Sequence, residues 1–286
     1  LQNTASGCFS NVAGGCCNTA SGCYSTIAGG NNNEAQGSHS NVAGGSSNTA
    51  SNTYSNVAGG NSNTACGSYS NVAGGFCNTA CVNASTVGGG YNNAASNTYS
   101  NVAGGCGNTA LSAYSNVAGG AANTACGNYS NVAGGFRNTA GGCYSSVAGG
   151  GDNTVTGYAS FVGSGFCNEI DDTDYSAIVA GYENCVGSCT DGGFIGGGQQ
   201  NTVAGYLASV VGGFRNCAQA SYSTVMGGCC NTVKSVHSHS SITGTTITSV
   251  SANMLHVNRL YANDLPTTDP GVTGVVWNDG GTLKIS

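Results

Sequence analysis

One block of residues, YSNVAGGxxNTAxGx, returns every 15 residues and governs what this chain can fold into. Tyr24, Tyr54, Tyr69, Tyr99, Tyr114, Tyr129 and Tyr144 occupy its first position. With that aromatic as position 1, position 4 reads Val12, Ile27, Val42, Val57 and onward to Ile242, which predicts sixteen coils. Position 10 is Asn in every full coil, through Asn18, Asn48 and Asn63 to Asn231, and position 12 is Ala or a larger aliphatic residue. Positions 6 and 7 are mostly Gly-Gly. The spacing breaks near Asp171-Asp172, at Cys189 to Gly193 and before Ile242, and these breaks read as loop insertions.

A unit this short cannot fold alone, but it can make a coil of two short strands and two turns that hydrogen-bonds to the coils above and below. The predicted fold is therefore all-β, a β-solenoid over residues 1–244. Alternation along a strand puts Ser at position 2 with Val or Ile at position 4 on one face, and positions 1, 3 and 5 on the other. The Gly pair supplies a turn, and the Asn column is expected in a left-handed turn with its amides stacked from coil to coil. Val12, Val42, Val57, Asn18, Asn48 and Asn63 are thus structural ladder residues. Sixteen coils at about 4.8 Å make a rod of about 75 Å. A coil enclosing only Val, Ala and Ser buries little apolar area against the entropy of ordering so many glycines. Side-by-side association into a parallel homotrimer is the symmetric remedy.

Composition narrows the function. The chain carries 5 Lys and Arg against 11 Asp and Glu, for a net charge of −6, too few cations to neutralise a row of phosphates. Nucleic-acid binding and attraction to an anionic membrane are not expected. With 2 Pro, and with its 50 Gly mostly paired, the chain is not collagen. No apolar run approaches the roughly 20 residues that span a bilayer, so membrane insertion is not expected either.

The segments TASGCYSTIAGG and TACGSYSNVAGG resemble the head repeats of trimeric autotransporter adhesins, a resemblance that covers residues 1–244 and implies a left-handed parallel β-roll. The last residues, NRLYANDLPTTDPGVTGVVWNDGGTLKIS, resemble the C-terminal ends of fibre proteins from tailed phages and large DNA viruses. Together the two resemblances imply a fibre on a virion surface, or one that is extracellular, that binds a host surface glycan or protein receptor. Read from the residues alone, Val275-Val276-Trp277 and Thr282 to Ile285 flank Asn278-Asp279-Gly280-Gly281, a hairpin signal with Trp277 as its packing anchor. Residues 245–286 then form a short shaft and a capping hairpin that holds chains in register, with a three-stranded coiled coil over Ile247 to Leu265 as the alternative to a β shaft.

Candidate chemistry is sparse. His237-Ser238-His239 places two imidazoles on one strand face, and three such pairs about a trimer axis would offer nitrogens to an octahedral Fe or Ni ion, as similar H-x-H segments do in the phage fibres this end resembles. Two solvent-facing histidines are the alternative, and no other cofactor is expected. Asp171, Asp172 and Asp174, with Glu169 nearby, are either a Ca²⁺ loop or a solvated acidic turn. Of 16 cysteines, Cys8 with Cys23 and Cys66 with Cys81 repeat one coil position in consecutive coils, close enough for disulfides, and the rest read as small apolar fillers. Cys16-Cys17 and Cys229-Cys230 are expected to point to opposite faces. Tyr54, Tyr69, Tyr99, Tyr114 and Tyr129 form an aromatic stripe suited to stacking on sugar rings or on each other. Asn83 and Asn128 open glycosylation sequons. With four His and no G-x-S-x-G elbow, catalysis has no candidate residues, and the chain is expected to be a structural or adhesive fibre. A self-assembling extracellular filament and an ice-binding face along Thr4, Thr19, Thr49, Thr64 and Thr79 are the competing readings.

Overall fold

A computed structural model describes residues 2–188, 190–258, 276–279 and 282–285. No helix occurs among them, and Leu1 to His256 form one compact unit, with Val257 to Ser286 the second. The first unit is a parallel β-solenoid. One sheet stacks sixteen two-residue strands, from Thr4–Ala5 to Thr232–Val233, at positions 11 and 12 of the coil. The other stacks positions 3 and 4 from Asn11–Val12 to Ser241–Thr245, and Leu255–Val257 adds a seventeenth strand to it. The stack is therefore one rung longer than the sixteen coils read from position 4, and residues past 244 prolong it. No coiled coil is present over 247–258, and residues 259–275 lie outside the described residues.

Each coil also has a third parallel contact that the repeat did not announce. Position 8 bridges from coil to coil through Cys16↔Asn31, Asn31↔Ser46 and onward to Phe214↔Cys229. The register is 15 residues throughout the first coils, as in Val57↔Val72, and lengthens to 16 at Val162↔Ile178 and 17 at Ile178↔Ile195 and Val225↔Ile242. The insertions expected from the spacing are absorbed in turns, and an irregularity between Val225 and Gly228 shifts the second sheet by one residue near its end.

Burial follows the alternation. From Asn18 onward, position 4 (Val42, Val57), position 12 (Ala50, Ala65), the position-2 serines and the position-10 asparagines are enclosed, while in the first rung Asn3, Ser10 and Val12 are partly buried and Ala5 is exposed. Some of these serines donate to a nearby carbonyl, as Ser70 Oγ does to Gly67 O at 2.7 Å, whereas the hydroxyls of Ser25, Ser40, Ser130 and Ser145 meet no partner. Towards the C-terminal half the coils carry larger interior residues, with Val155, Ile170, Val186 and Val203 at position 12 and Ile178 and Ile195 at position 4.

The asparagine column is a continuous network. Asn78 Nδ2 donates to Gly74 O in its own coil and to Gly90 O in the next, both at 2.8 Å, while its Oδ1 accepts the Asn93 N–H at 2.9 Å. The same three bonds recur at Asn48 and Asn63. The amides stack as expected, but the left-handed backbone does not sit on them. It falls on the residue before each one and on the aromatic, at Cys77 (φ 55°) and Tyr69 (φ 58°) for example, and on the second glycine. Asparagine is freed from the turn because its side chain is needed inside, facing the carbonyls.

The two glycines of the pair differ. At Gly135 (φ +94°) an added Cβ would lie 2.1 Å from Gly150 O, whereas at Gly134 it would meet nothing within 4 Å. In the second unit, Val276–Asp279 pairs antiparallel with Thr282–Ile285, setting Trp277 opposite Lys284 and Asp279 opposite Thr282. The first strand of the hairpin thus runs through Asn278 and Asp279, which the sequence reading had placed in the turn.

Gly134→Ala is expected to leave the stability unchanged within about 0.5 kcal/mol. Gly135→Ala should cost at least about 2 kcal/mol, because both the clash and the left-handed backbone oppose it. Melting curves by circular dichroism on the pair of variants check this, and equal midpoints would contradict the asymmetry.

Candidate interaction surface

The outward residues at the corners, rather than the sheets, carry the chemical variety of this chain. Position 1 is left-handed in coil after coil, which turns its side chain out of the solenoid. A non-glycine residue there costs roughly 1–2 kcal/mol. Ring stacking between coils offsets that cost, since the coil spacing is close to the contact distance of offset aromatic rings. Phe9, Tyr24, His39, Tyr54 and Tyr69 stack in one run, at 4.8 to 5.1 Å between centroids. Tyr99, Tyr114, Tyr129 and Tyr144 stack in a second, with Tyr114 and Tyr129 4.7 Å apart and inclined by only 2°.

Tyr54, Tyr69, Tyr99, Tyr114 and Tyr129 remain 47–62% exposed despite the stacking, so the ladder presents ring edges and hydroxyls to solvent. The stripe is broken where position 1 is Ala84, Ala159, Gly192 or Leu207. The rings are also tipped to 72° and 78° where Tyr158, one residue earlier in its coil, takes the place of a position-1 ring between Tyr144 and Tyr175.

A second, shorter stripe lies along position 8 and was not singled out in the sequence. Phe76 stacks on Tyr91 at 5.4 Å and Phe166 on Tyr182 at 6.0 Å. Beside it runs a polar column at position 9. Arg137 lies over the Phe136 ring at 4.7 Å and pairs with Asp152 at 2.6 Å, while Gln200 links Glu183 (2.7 Å) to Arg215 (2.8 Å), which lies over Phe214. Hydrogen bonds from Gln200 and Tyr182 hold the Glu183 carboxyl below its usual range. Its signal in the sequence is the aromatic that follows the glycine pair, as in Gly75-Phe76, Gly90-Tyr91 and Gly135-Phe136.

The other sequence candidates are placed as follows. His237 and His239 do not share a strand face, because the segment runs through two successive turns. His237 Nδ1 is hydrogen-bonded to Ser249 Oγ at 2.7 Å, and His239 has left-handed backbone and stacks on Tyr222 at 4.8 Å as a member of the aromatic ladder. Asp174 Oδ1 accepts the Tyr158 N–H and Asp191 Oδ1 the Asp174 N–H, so these carboxylates join neighbouring coils. No three His, Cys, Asp or Glu side chains converge on a metal position among the described residues. Cys66 and Cys81 are joined in a disulfide with Cα atoms 4.3 Å apart, whereas Cys8 and Cys23 are exposed and free. Cys16-Cys17 and Cys229-Cys230 depart from the expectation of opposite faces, with Sγ atoms 3.3 and 2.8 Å apart. Asn83 and Asn128 are exposed, but the serines of their sequons, Ser85 and Ser130, are fully buried. Thr19, Thr49, Thr64 and Thr79 line the outside of the first sheet, in a column interrupted by Glu34 and Ala94.

Removing one ring should expose the cost of the left-handed corner: Tyr114→Ala is expected to lose about 1–2 kcal/mol from two stacks, and Tyr114→Phe essentially nothing. Thermal melts of both variants test this. Burial pushes the Cys185 and Cys217 thiols up, which lowers their thiolate fraction at a given pH. In the folded, reduced chain both should alkylate at least about tenfold more slowly than exposed Cys8 or Cys143, as timed labelling and peptide mapping would show.

Comparison with known proteins finds no matching family model and no matching curated protein. The functional reading therefore rests on the geometry of the solenoid and its aromatic edge.

Proposed function

We propose that this chain is a non-enzymatic fibre module that displays a repetitive surface for attachment, most simply as a homotrimer on a virion surface. The observation that carries the reading is the exposed run of stacked tyrosines along one corner. These rings are large, half-exposed and held outward at a backbone cost, in positions the interior of the coil does not need. Rings at a fixed spacing on a rigid support suit a ligand that is itself repetitive, such as a surface polysaccharide, by stacking on sugar faces. The thin interior of Val, Ala, Ser and Asn favours assembly of several chains, and the resemblance of the repeats to adhesin heads points the same way.

A cell-surface adhesin or extracellular filament uses the same surface and the same fold, and differs in what carries the fibre. The continuous parallel ladders favour it as the second reading, since stacking coil on coil is the mode of growth of the solenoid itself.

The intact chain should have the mass of a trimer by light scattering, in both reducing and non-reducing buffer. Tyr114→Ala with Tyr129→Ala should weaken binding to surface polysaccharide at least about tenfold with the trimer retained, as loss of stacking predicts. A monomer in both buffers, or binding indifferent to the two rings, would overturn the proposal.

A further inference from the structure

Positions 8 and 9 of the coil bring consecutive side chains together instead of sending them to opposite faces. The cause is the left-handed residue at position 9, seen at Cys17 (φ 59°) and Cys230 (φ 57°) and at Ser62 and Arg137 between them. Non-cysteine coils show the same convergence. Ser62 Oγ donates to Asn61 Oδ1 at 2.7 Å, and Arg137 and Arg215 fold over Phe136 and Phe214 at 4.7 and 4.8 Å. Cysteine at both positions therefore yields a pair of facing thiols by the geometry of the repeat alone. This happens twice, at Cys16-Cys17 (Sγ–Sγ 3.3 Å) and Cys229-Cys230 (2.8 Å). All four residues are at least partly exposed. The adjoining coils offer Asn31-Asn32 to the first pair and Phe214-Arg215 to the second, so the cross-coil pairing used by Cys66 and Cys81 is not open to them there.

We propose that Cys16-Cys17 and Cys229-Cys230 are vicinal dithiol sites that close to disulfides by exchange with a small-molecule disulfide. The thiolate of one cysteine attacks the small disulfide, forming a mixed disulfide and releasing one small thiol. Its neighbour then loses its proton and attacks the protein sulfur of that mixed disulfide, releasing the second small thiol. Two protein thiols are oxidised, one small disulfide is reduced to two thiols, and the ring closes through the intervening peptide. The hydrogen bond within each pair pushes the Cys17 and Cys229 thiols up. Both pairs sit on the position-8 ladder, Cys16 against Asn31 and Cys229 between Phe214 and Thr245.

The test is incubation of the reduced full chain with a small disulfide such as oxidised glutathione, followed by acid quench and peptide mapping by mass spectrometry. The peptides holding each pair should lose two hydrogens with no added small thiol. In Cys17→Ser and Cys229→Ser, the remaining Cys16 and Cys230 should retain the small thiol as a mixed disulfide, at least about tenfold above its level at the same residue in the unaltered chain. A reading independent of the variants is capture of phenylarsine oxide by the reduced chain, which bridges two thiols with loss of water and should map to both pairs. Mixed disulfides persisting at these pairs in the unaltered chain, cross-pairing with other cysteines, or thiols left free would each overturn the proposal.

Discussion

At the corner between the position-8 ladder and the first sheet, one asparagine side chain per coil takes up two glycine carbonyls and one peptide N–H, two of the three from the coil above. The bonds lie between 2.8 and 2.9 Å at Asn63 and Asn78, and the amide is out of contact with water. Each bond is worth only about 1 kcal/mol net, but leaving such a group unmet in the interior costs about 1–3 kcal/mol, so the column is held by what its loss would leave behind. Aspartate would bring a ladder of buried like charges with no donor, and alanine would leave the glycine carbonyls short of a partner. The glycine that follows the first of the pair is constrained by the same corner, since its Cβ would occupy the space of the amide and of the next coil's carbonyl.

Strand N–H groups point towards the following coil, as Asn56 does to Ser70 O, whereas the left-handed residues point back, as Tyr69 does to Thr53 O and Cys77 to Asn61 O. The corners are thus bonded in both directions along the stack while their side chains are turned outward. This separation lets the repeat hold its interior constant and vary its edge. Tyrosine ladders, the Arg137–Asp152 pair, the Glu183–Gln200–Arg215 chain and the facing cysteines all lie at corner positions 1, 8 or 9.

Much of this was legible in the residues. The period, the parallel stacking, the inward face of Val42 and Val57 and the placing of the insertions in turns follow from a 15-residue repeat whose apolar positions alternate as in a strand. The contacts at the corners were harder to read. Alternation fails wherever φ turns positive, so Cys16 and Cys17 face one another, and His237 and His239 part company, one to Ser249 and one to the Tyr222 ring. Asn in a turn-rich motif reads as the left-handed residue, yet the residue before it takes that role because the amide is wanted inside.

The repeat by itself determined that this chain is a β-solenoid and which positions are enclosed, because a short unit with a fixed period can bury its apolar face only against copies of itself. Tertiary structure alone decided which side chains meet at the edge. Those contacts depend on the sign of φ at three positions per coil and on the rise from one coil to the next, and residue identity sets neither one: Tyr, His, Ala, Cys, Arg and Asp all adopt the same left-handed corner when the coils around them require it.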